Sequence, residues 1–327
     1  MQSASPLPKD LAAGTAPRFP LYIGLLAIGL LLLAPLMIYP VFLMKVMLFG
    51  LFACAFNLLI GFTGLLSFGH AMFFGGAAYM SAYTMKNWGF SPELGILSGV
   101  VFAAAMGLVT GLLAIRRHGI YFAMITLALA QMFFFLCLQT PLTGGEDGIQ
   151  SVPRRPLLGF FDIRPDIHLY YVVLAIFLFG LFVIVRTIHS PFGQVLKAIR
   201  ENEPRSISLG YRADRYKLQA FVLSSAIAGL AGGTKVLVFQ LASLTDVSWN
   251  MSGEVILMTL IGGMGTLFGP IVGAAIVVTV QNYLGPLGEW VLVIQGAIFV
   301  IAVSLFRRGL VGELGAVIKR RSLRTSQ

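Results

Sequence analysis

SPFGQVLKAIRENEPRSISLGYRADRYK, Ser190 to Lys217, is the longest polar run lying between apolar segments of this 327-residue chain. It sets Lys197, Arg200, Arg205, Arg212, Arg215 and Lys217 against Glu201, Glu203 and Asp214. An apolar segment of about 20 residues lies on each side, the length that crosses the hydrocarbon core of a bilayer. The run reads as helical: Ser190 can cap an N-terminus, Pro191 suits the first helical position, and Gly210 is a stop signal. A charged helical loop is therefore held at a membrane face between two spans. Two uses of it stay open. It can fix topology as a positive-inside loop, or it can dock a cytoplasmic partner, which its length and cap signals favour.

The rest of the chain agrees with a membrane setting. It is 57% hydrophobic and 11% charged, where a soluble domain carries about 25% charge. Mean hydropathy is +0.88. The fold class is an all-α polytopic membrane protein. Cys54 and Cys137 both fall inside apolar runs, so they read as packing residues, and no metal-ligand spacing occurs. The net charge of +10 does not point to nucleic acid, because the basic residues sit in short loops between apolar segments. Residues 1–18 read as a disordered cytoplasmic tail, 19–306 as the membrane domain and 307–327 as a basic cytoplasmic tail.

The apolar pattern predicts about ten spans: Phe19–Tyr39, Val41–Ile60, His70–Met85, Glu93–Ala114, Ile120–Gln139, His168–Ile188, Leu218–Leu241, Ser252–Met264, Pro270–Tyr283 and Gly288–Phe306. The eighth and ninth are short and can instead form a re-entrant pair. With the N-terminus inside, 17 basic residues fall on the cytoplasmic side and 4 outside: Lys86, Arg154, Arg155 and Arg164. That asymmetry sets the orientation. Lys45 and Lys235, near outer span ends, are expected to snorkel, and Asp246 is expected outside. Gly99, Ala103, Gly107 and Gly111 share one helix face, as do Ser225, Gly229 and Gly233. Such faces allow close helix approach, within one bundle or at a subunit interface.

Two glycine-rich breaks interrupt this pattern. Gly61-Phe-Thr-Gly64-Leu-Leu-Ser67-Phe-Gly69-His70 separates the second and third spans, and Gly262-Gly263-Met-Gly265-Thr266-Leu-Phe-Gly269-Pro270 the eighth and ninth. Irregular backbone at membrane depth is tolerated only inside protein or along a cavity, and such breaks bind substrates in transporters. The alternative is a pair of tight cytoplasmic turns. Gly64, Ser67, Gly69, His70, Gly262, Gly263 and Gly265 are the candidate pathway residues. His70 reads as a hydrogen-bonding cap before a ligand or proton carrier. Ser67 lacks the G-x-S-x-G setting and a nearby acid, so no catalytic residue is assigned. No phosphate-binding G-x-x-x-x-G-K-[ST] is present. No Asp or Glu falls at mid-span, and Glu93, Glu254 and Glu289 each sit near an outer end. Ion-coupled pumps use such groups, so a stand-alone secondary transporter is disfavoured and the driving energy is expected from another polypeptide. A membrane enzyme would need a polar cluster at one depth, which is absent. The outer loop Thr140–His168 contacts an external binding protein or is simply solvated.

The pattern S-P-F-G-x-x-L-x-A-I-R-E-N-E at Ser190–Glu203, with Leu209-Gly210 and Arg215-Tyr-Lys-Leu-x-Ala-Phe221, resembles the inner-membrane permeases of branched-chain amino acid ABC importers. It is closer to their LivM-type than their LivH-type subunit. Gly64-x-x-Ser67-x-Gly69-His70-Ala71-x-Phe73-Phe74-Gly75, Thr143-Gly-Gly-x-Asp147-Gly148 and Gly262-Gly263-x-Gly265-Thr266-x-x-Gly269-Pro270-x-x-Gly273-Ala274 match further family stretches, in order, over about residues 57–305. The resemblance implies a bacterial inner-membrane permease paired with a LivH-type second permease; the charge asymmetry places both termini in the cytoplasm. It also implies two cytoplasmic ATPase subunits that hold the ATP and magnesium, and a soluble extracytoplasmic binding protein. No cofactor is implied in this chain. The implied cargo is leucine, isoleucine or valine; urea, short amides and aromatic acids are the family's other substrates. Docking of the ATPase carries onto Arg200, Glu201, Glu203 and Gly210. Departures are Pro204 and Ser206 in place of alanines, one extra residue between Glu203 and Gly210, Phe68 for Leu and Ala77 for Gly.

Overall fold

The computed structural model describes residues 29–159, 161–285, 288, 290–305 and 309–313. Residues 19–28 of the expected first span, the tail 1–18 and most of the tail 307–327 lie outside the described residues. The described helices are α1 (Pro40–Thr63), α2 (His70–Asn87), α3 (Pro92–Ala114), α4 (Ile120–Gln139), α5 (Asp166–His189), α6 (Pro191–Glu201), α7 (Glu203–Ser208), α8 (Ala213–Phe239), α9 (Trp249–Gly262), α10 (Gly269–Leu284) and α11 (Trp290–Leu305). Each expected span from the second to the tenth coincides with one of them. By length and composition α1, α3, α4, α5 and α8 can cross a membrane. Proline stands in the first turn of α1, α3, α6 and α10, where its missing N–H costs nothing. Inside the spans, hydroxyls fold back onto carbonyls one turn earlier, as Thr110 does onto Met106 O (2.8 Å) and Thr234 onto Leu230 O (2.7 Å). These bonds hide polar groups from lipid.

α8 is the axis of the bundle. It packs on α1 and α2 on one side and on α3 on the other. The small-residue faces meet each other within this chain. A Cβ added at Gly107 would collide with Ser225, one at Gly229 with Ala103, and one at Gly232 with the Phe74 carbonyl of α2. Of the two uses open for these faces, the internal one is observed.

Two elements begin deeper than the apolar pattern implied. The ring of His70, first residue of α2, lies 5.4 Å from that of Phe56 and 6.1 Å from that of Phe52, at the middle of the 24-residue α1. Its Nε2 meets Ser224 Oγ (2.9 Å), halfway along α8. Residues 64–69 therefore climb back from the end of α1 to its middle, and α2 starts inside the bundle. The first break is not a tight turn at the inner face. α9 starts at the same level, because Ser252 Oγ accepts the Ala71 N–H (3.0 Å). Glu254, two residues further into α9, is thus half-buried inside the bundle rather than near an outer surface.

The outer charges also differ from expectation. Lys235 does not snorkel. Its Nζ bonds both carboxylate oxygens of Asp246, and the two side chains are buried together. Asp246 also closes a capping box with Ser243. The cause is local: after α8 the chain turns inward along α2, carrying Asp246 down beside Gly75. The outer loop is held against this region. Ile149 and Ala242 exchange backbone hydrogen bonds (2.9 and 3.0 Å), and Arg154 donates to Leu237 O (2.9 Å), Val238 O (2.7 Å) and Asp166 (3.0 Å).

The polar run is two helices joined at Asn202. Ser190 Oγ caps α6 by accepting the Gly193 N–H (3.3 Å), and Asn202 Oδ1 caps α7 by accepting the Arg205 N–H (3.0 Å). Pro204 stands in the first turn of α7, a position it suits, which accounts for that departure from the family pattern. Gly210, at φ +92°, turns the chain into α8. Residues Ala213–Lys217 already form the start of that helix.

Candidate functional site

The two glycine breaks meet at the end of the bundle that carries the polar run. α9 and α10 form a hairpin whose backbones touch: a Cβ at Gly262 would strike the Gly269 carbonyl, and one at Gly273 the Met258 carbonyl. Gly263 (φ +118°) and Gly265 (φ +75°) make the connecting turn. Asn57 of α1, 3% exposed, clamps that turn. Its Nδ2 donates to Thr266 O (2.7 Å) and its Oδ1 accepts the Gly265 N–H (2.9 Å). Asn57 was not among the sequence candidates. A lone amide in an apolar span, one turn before Gly61, was the available signal.

Arg200 joins the polar run to this cluster. Its Nη1 donates to Gly61 O, its Cγ lies over Gly64, and Gly265 is beside its guanidinium. Leu196 and Ile199 bury the rest of the α6 face, and Lys197 Nζ stands 5.7 Å over the Phe62 ring. The other coupling candidates diverge. Glu203 turns inward to Lys217 Nζ (2.5 Å), with His118 Nδ1 at 3.7 Å. Glu201 and Gly210 face solvent. So do Ile207, Leu209 and Tyr211, which leaves apolar side chains exposed on a polar loop.

The pathway candidates divide in the same way. Ser67, Gly69 and His70 are fully enclosed. Ser67 Oγ accepts the Gly69 N–H (3.3 Å), and a Cβ at Gly69 would overlap the Thr126 carbonyl. Ser224 donates to Ala55 O (2.5 Å), so His70 Nε2 donates to Ser224. These residues hold the break in shape. Gly64 and Phe68 face outward. Both line a cleft of about 410 Å³ against Ile120, Ala123 and Leu127 of α4. Phe68 also lines a second cleft of about 320 Å³ against α9 and α11. Gly262, Gly263 and Gly265 belong to the hairpin turn below.

A bundle with broken helices at mid-depth, a lateral groove beside them and a capped polar helix beneath is the shape of a transport subunit. The model of the family described as branched-chain amino acid transport system / permease component matches residues 39–303, from the start of α1 nearly to the end of α11. The chain belongs to this family. The permease is 30% identical over 292 residues to the high-affinity branched-chain amino acid transport system permease protein LivM of Escherichia coli K12, covering 81% of this chain and 68% of that protein. It is 29% identical over 304 residues to the LivM protein of Salmonella typhimurium LT2, covering 84% and 70%. It is 28% identical over 236 residues to the ribose import permease protein RbsC of Bacillus subtilis 168, covering 67% and 70%. No solved structure matches the permease.

Proposed function

We propose that this permease carries branched-chain amino acids inward across the bacterial inner membrane as one subunit of an ATP-driven importer. Its second permease is of LivH type, two cytoplasmic subunits bind ATP and magnesium, and a soluble binding protein delivers the cargo from outside. The polar run and both termini face the cytoplasm. The groove centred on Phe68 is the cargo path, lying where a second permease closes it.

One observation carries this reading: Arg200 of the polar run touches both glycine breaks. Force on α6 and α7 is then delivered to the end of α1 and to the α9–α10 turn together. A charge-assisted hydrogen bond of this type contributes about 1.5–3 kcal/mol, enough to move three elements as one body. Exposed Glu201, Ile207 and Leu209 give the motor subunit a mixed polar and apolar surface. The relatives named for branched-chain amino acids favour that cargo over a sugar.

Two measurements test the proposal. Proteoliposomes holding the complete importer should take up leucine, isoleucine or valine when ATP is inside and the binding protein outside. Uptake of ribose, urea or an aromatic acid instead would overturn the cargo. Glu201→Lys with Leu209→Glu should abolish association of the ATPase while the permease inserts and melts normally. Unchanged association would reduce the loop to a topological anchor.

A further inference from the structure

The cleft of about 320 Å³ between α9 and α11 contains polar groups that its position does not explain. Gln295 of α11 is 4% exposed, and among the described residues neither its Oε1 nor its Nε2 has a hydrogen-bond partner. It lines the cleft together with Asn250 and Glu254 of α9, and Trp249, Phe68 and Phe299 supply apolar walls. An unpaired buried amide is costly in any protein, and more so where lipid replaces water. The Glu254 carboxylate also interacts with Gln281 of α10, with Lys45 of α1 in electrostatic range. Trp249 and Asn250 form the first turn of α9, whose N–H groups have no acceptor within the helix. That turn lies at mid-depth, beside the start of α2.

We propose that this cleft is a transit site for the zwitterionic head of an α-amino acid. Glu254 and Gln295 Oε1 receive the ammonium. Gln295 Nε2 and the first turn of α9 receive the carboxylate, where the helix dipole favours an anion. The apolar side chain lies on Phe68 and Phe299. The assignment rests on the amino-acid reading above and adds to it the groups inside the membrane that select the cargo's two charges. Phe68 borders both clefts, so cargo leaving the site passes over the first break on its way inward.

The test uses the complete importer in proteoliposomes with its binding protein. Gln295→Leu keeps a side chain of similar bulk and removes both unpaired atoms. It should lower the maximal leucine uptake rate at least tenfold, leave KM unchanged because the binding protein sets it, and not lower the melting temperature. Glu254→Gln, which keeps the hydrogen-bonding shape and loses the charge, should lower the maximal rate in the same way. Uptake within twofold of wild type in both variants overturns the site. Separation of the two permeases on gel filtration of Gln295→Leu also overturns it, since the amide would then serve a subunit contact. A wild-type importer that moves no branched-chain amino acid refutes the cargo itself, and is told apart by assaying wild type first.

Discussion

Replacing Asn57 by Leu should loosen the α9–α10 hairpin from α1 while keeping the number and branching of side-chain heavy atoms. The substitution removes a donor to Thr266 O and an acceptor for Gly265 N–H. Each backbone group left unsatisfied costs about 1–3 kcal/mol when buried. Thr266 and Gly265 are only half-buried, so water recovers part of the loss, and the sum falls near the lower end, about 2 kcal/mol. That corresponds to a fall in melting temperature on the order of 5 °C, measurable by differential scanning fluorimetry of the purified permease. Uptake should fall further than stability, because the turn that loses its clamp is the one proposed to receive force through Arg200. Asn57→Asp offers a milder comparison. Its carboxyl group still accepts from Gly265 and, when protonated, can donate to Thr266. Wild-type melting and wild-type uptake in Asn57→Leu would refute the view that α1 holds the hairpin through this side chain.

Gly262→Ala should lower the yield of folded permease and destabilise it by about 1–3 kcal/mol or more, since the new methyl meets a backbone carbonyl that cannot yield; thermal melting reads it. Lys235→Met alone should destabilise strongly, by about 3–5 kcal/mol, and Asp246→Leu added to it should restore most of the loss, because the unpaired buried charge is then gone; a double-mutant cycle checks this. Arg200→Ala should keep the ATPase bound and separate hydrolysis from uptake, seen as ATP turnover with little leucine transported. Cysteines at Ser151 and Ser208 should react with impermeant maleimide from opposite sides of the membrane; labelling from one side only would overturn the orientation.

The helices were legible in the sequence because lipid imposes a length and a composition on each of them, and Pro191, Ser190 and Gly210 mark local ends that local chemistry determines. Depth was not legible. A hydropathy window scores His70–Met85 alike whether it starts at the surface or at mid-bundle, and only the contact with Phe52, Phe56 and Ser224 decides. The direction of long side chains was equally hidden. Arg200 and Glu203 are three residues apart on a polar run, yet both turn inward, the first to a carbonyl of α1 and the second to Lys217. Their partners lie far away in sequence or on the next helix, so no local pattern records them. The same holds for Lys235 and Asp246, eleven residues apart across a turn that runs inward rather than out.

The Asn57 clamp also imposes an order on biosynthesis. Its partner carbonyl lies 209 residues later in the chain. At about 5–20 residues per second a ribosome needs roughly 10–40 s to reach it. Throughout that interval α1 sits in the membrane with an unmet amide at its inner end. A nascent permease that stalls before the hairpin therefore displays a polar flaw in its first buried helix, a mark by which a membrane protease could tell an unfinished chain from a finished one.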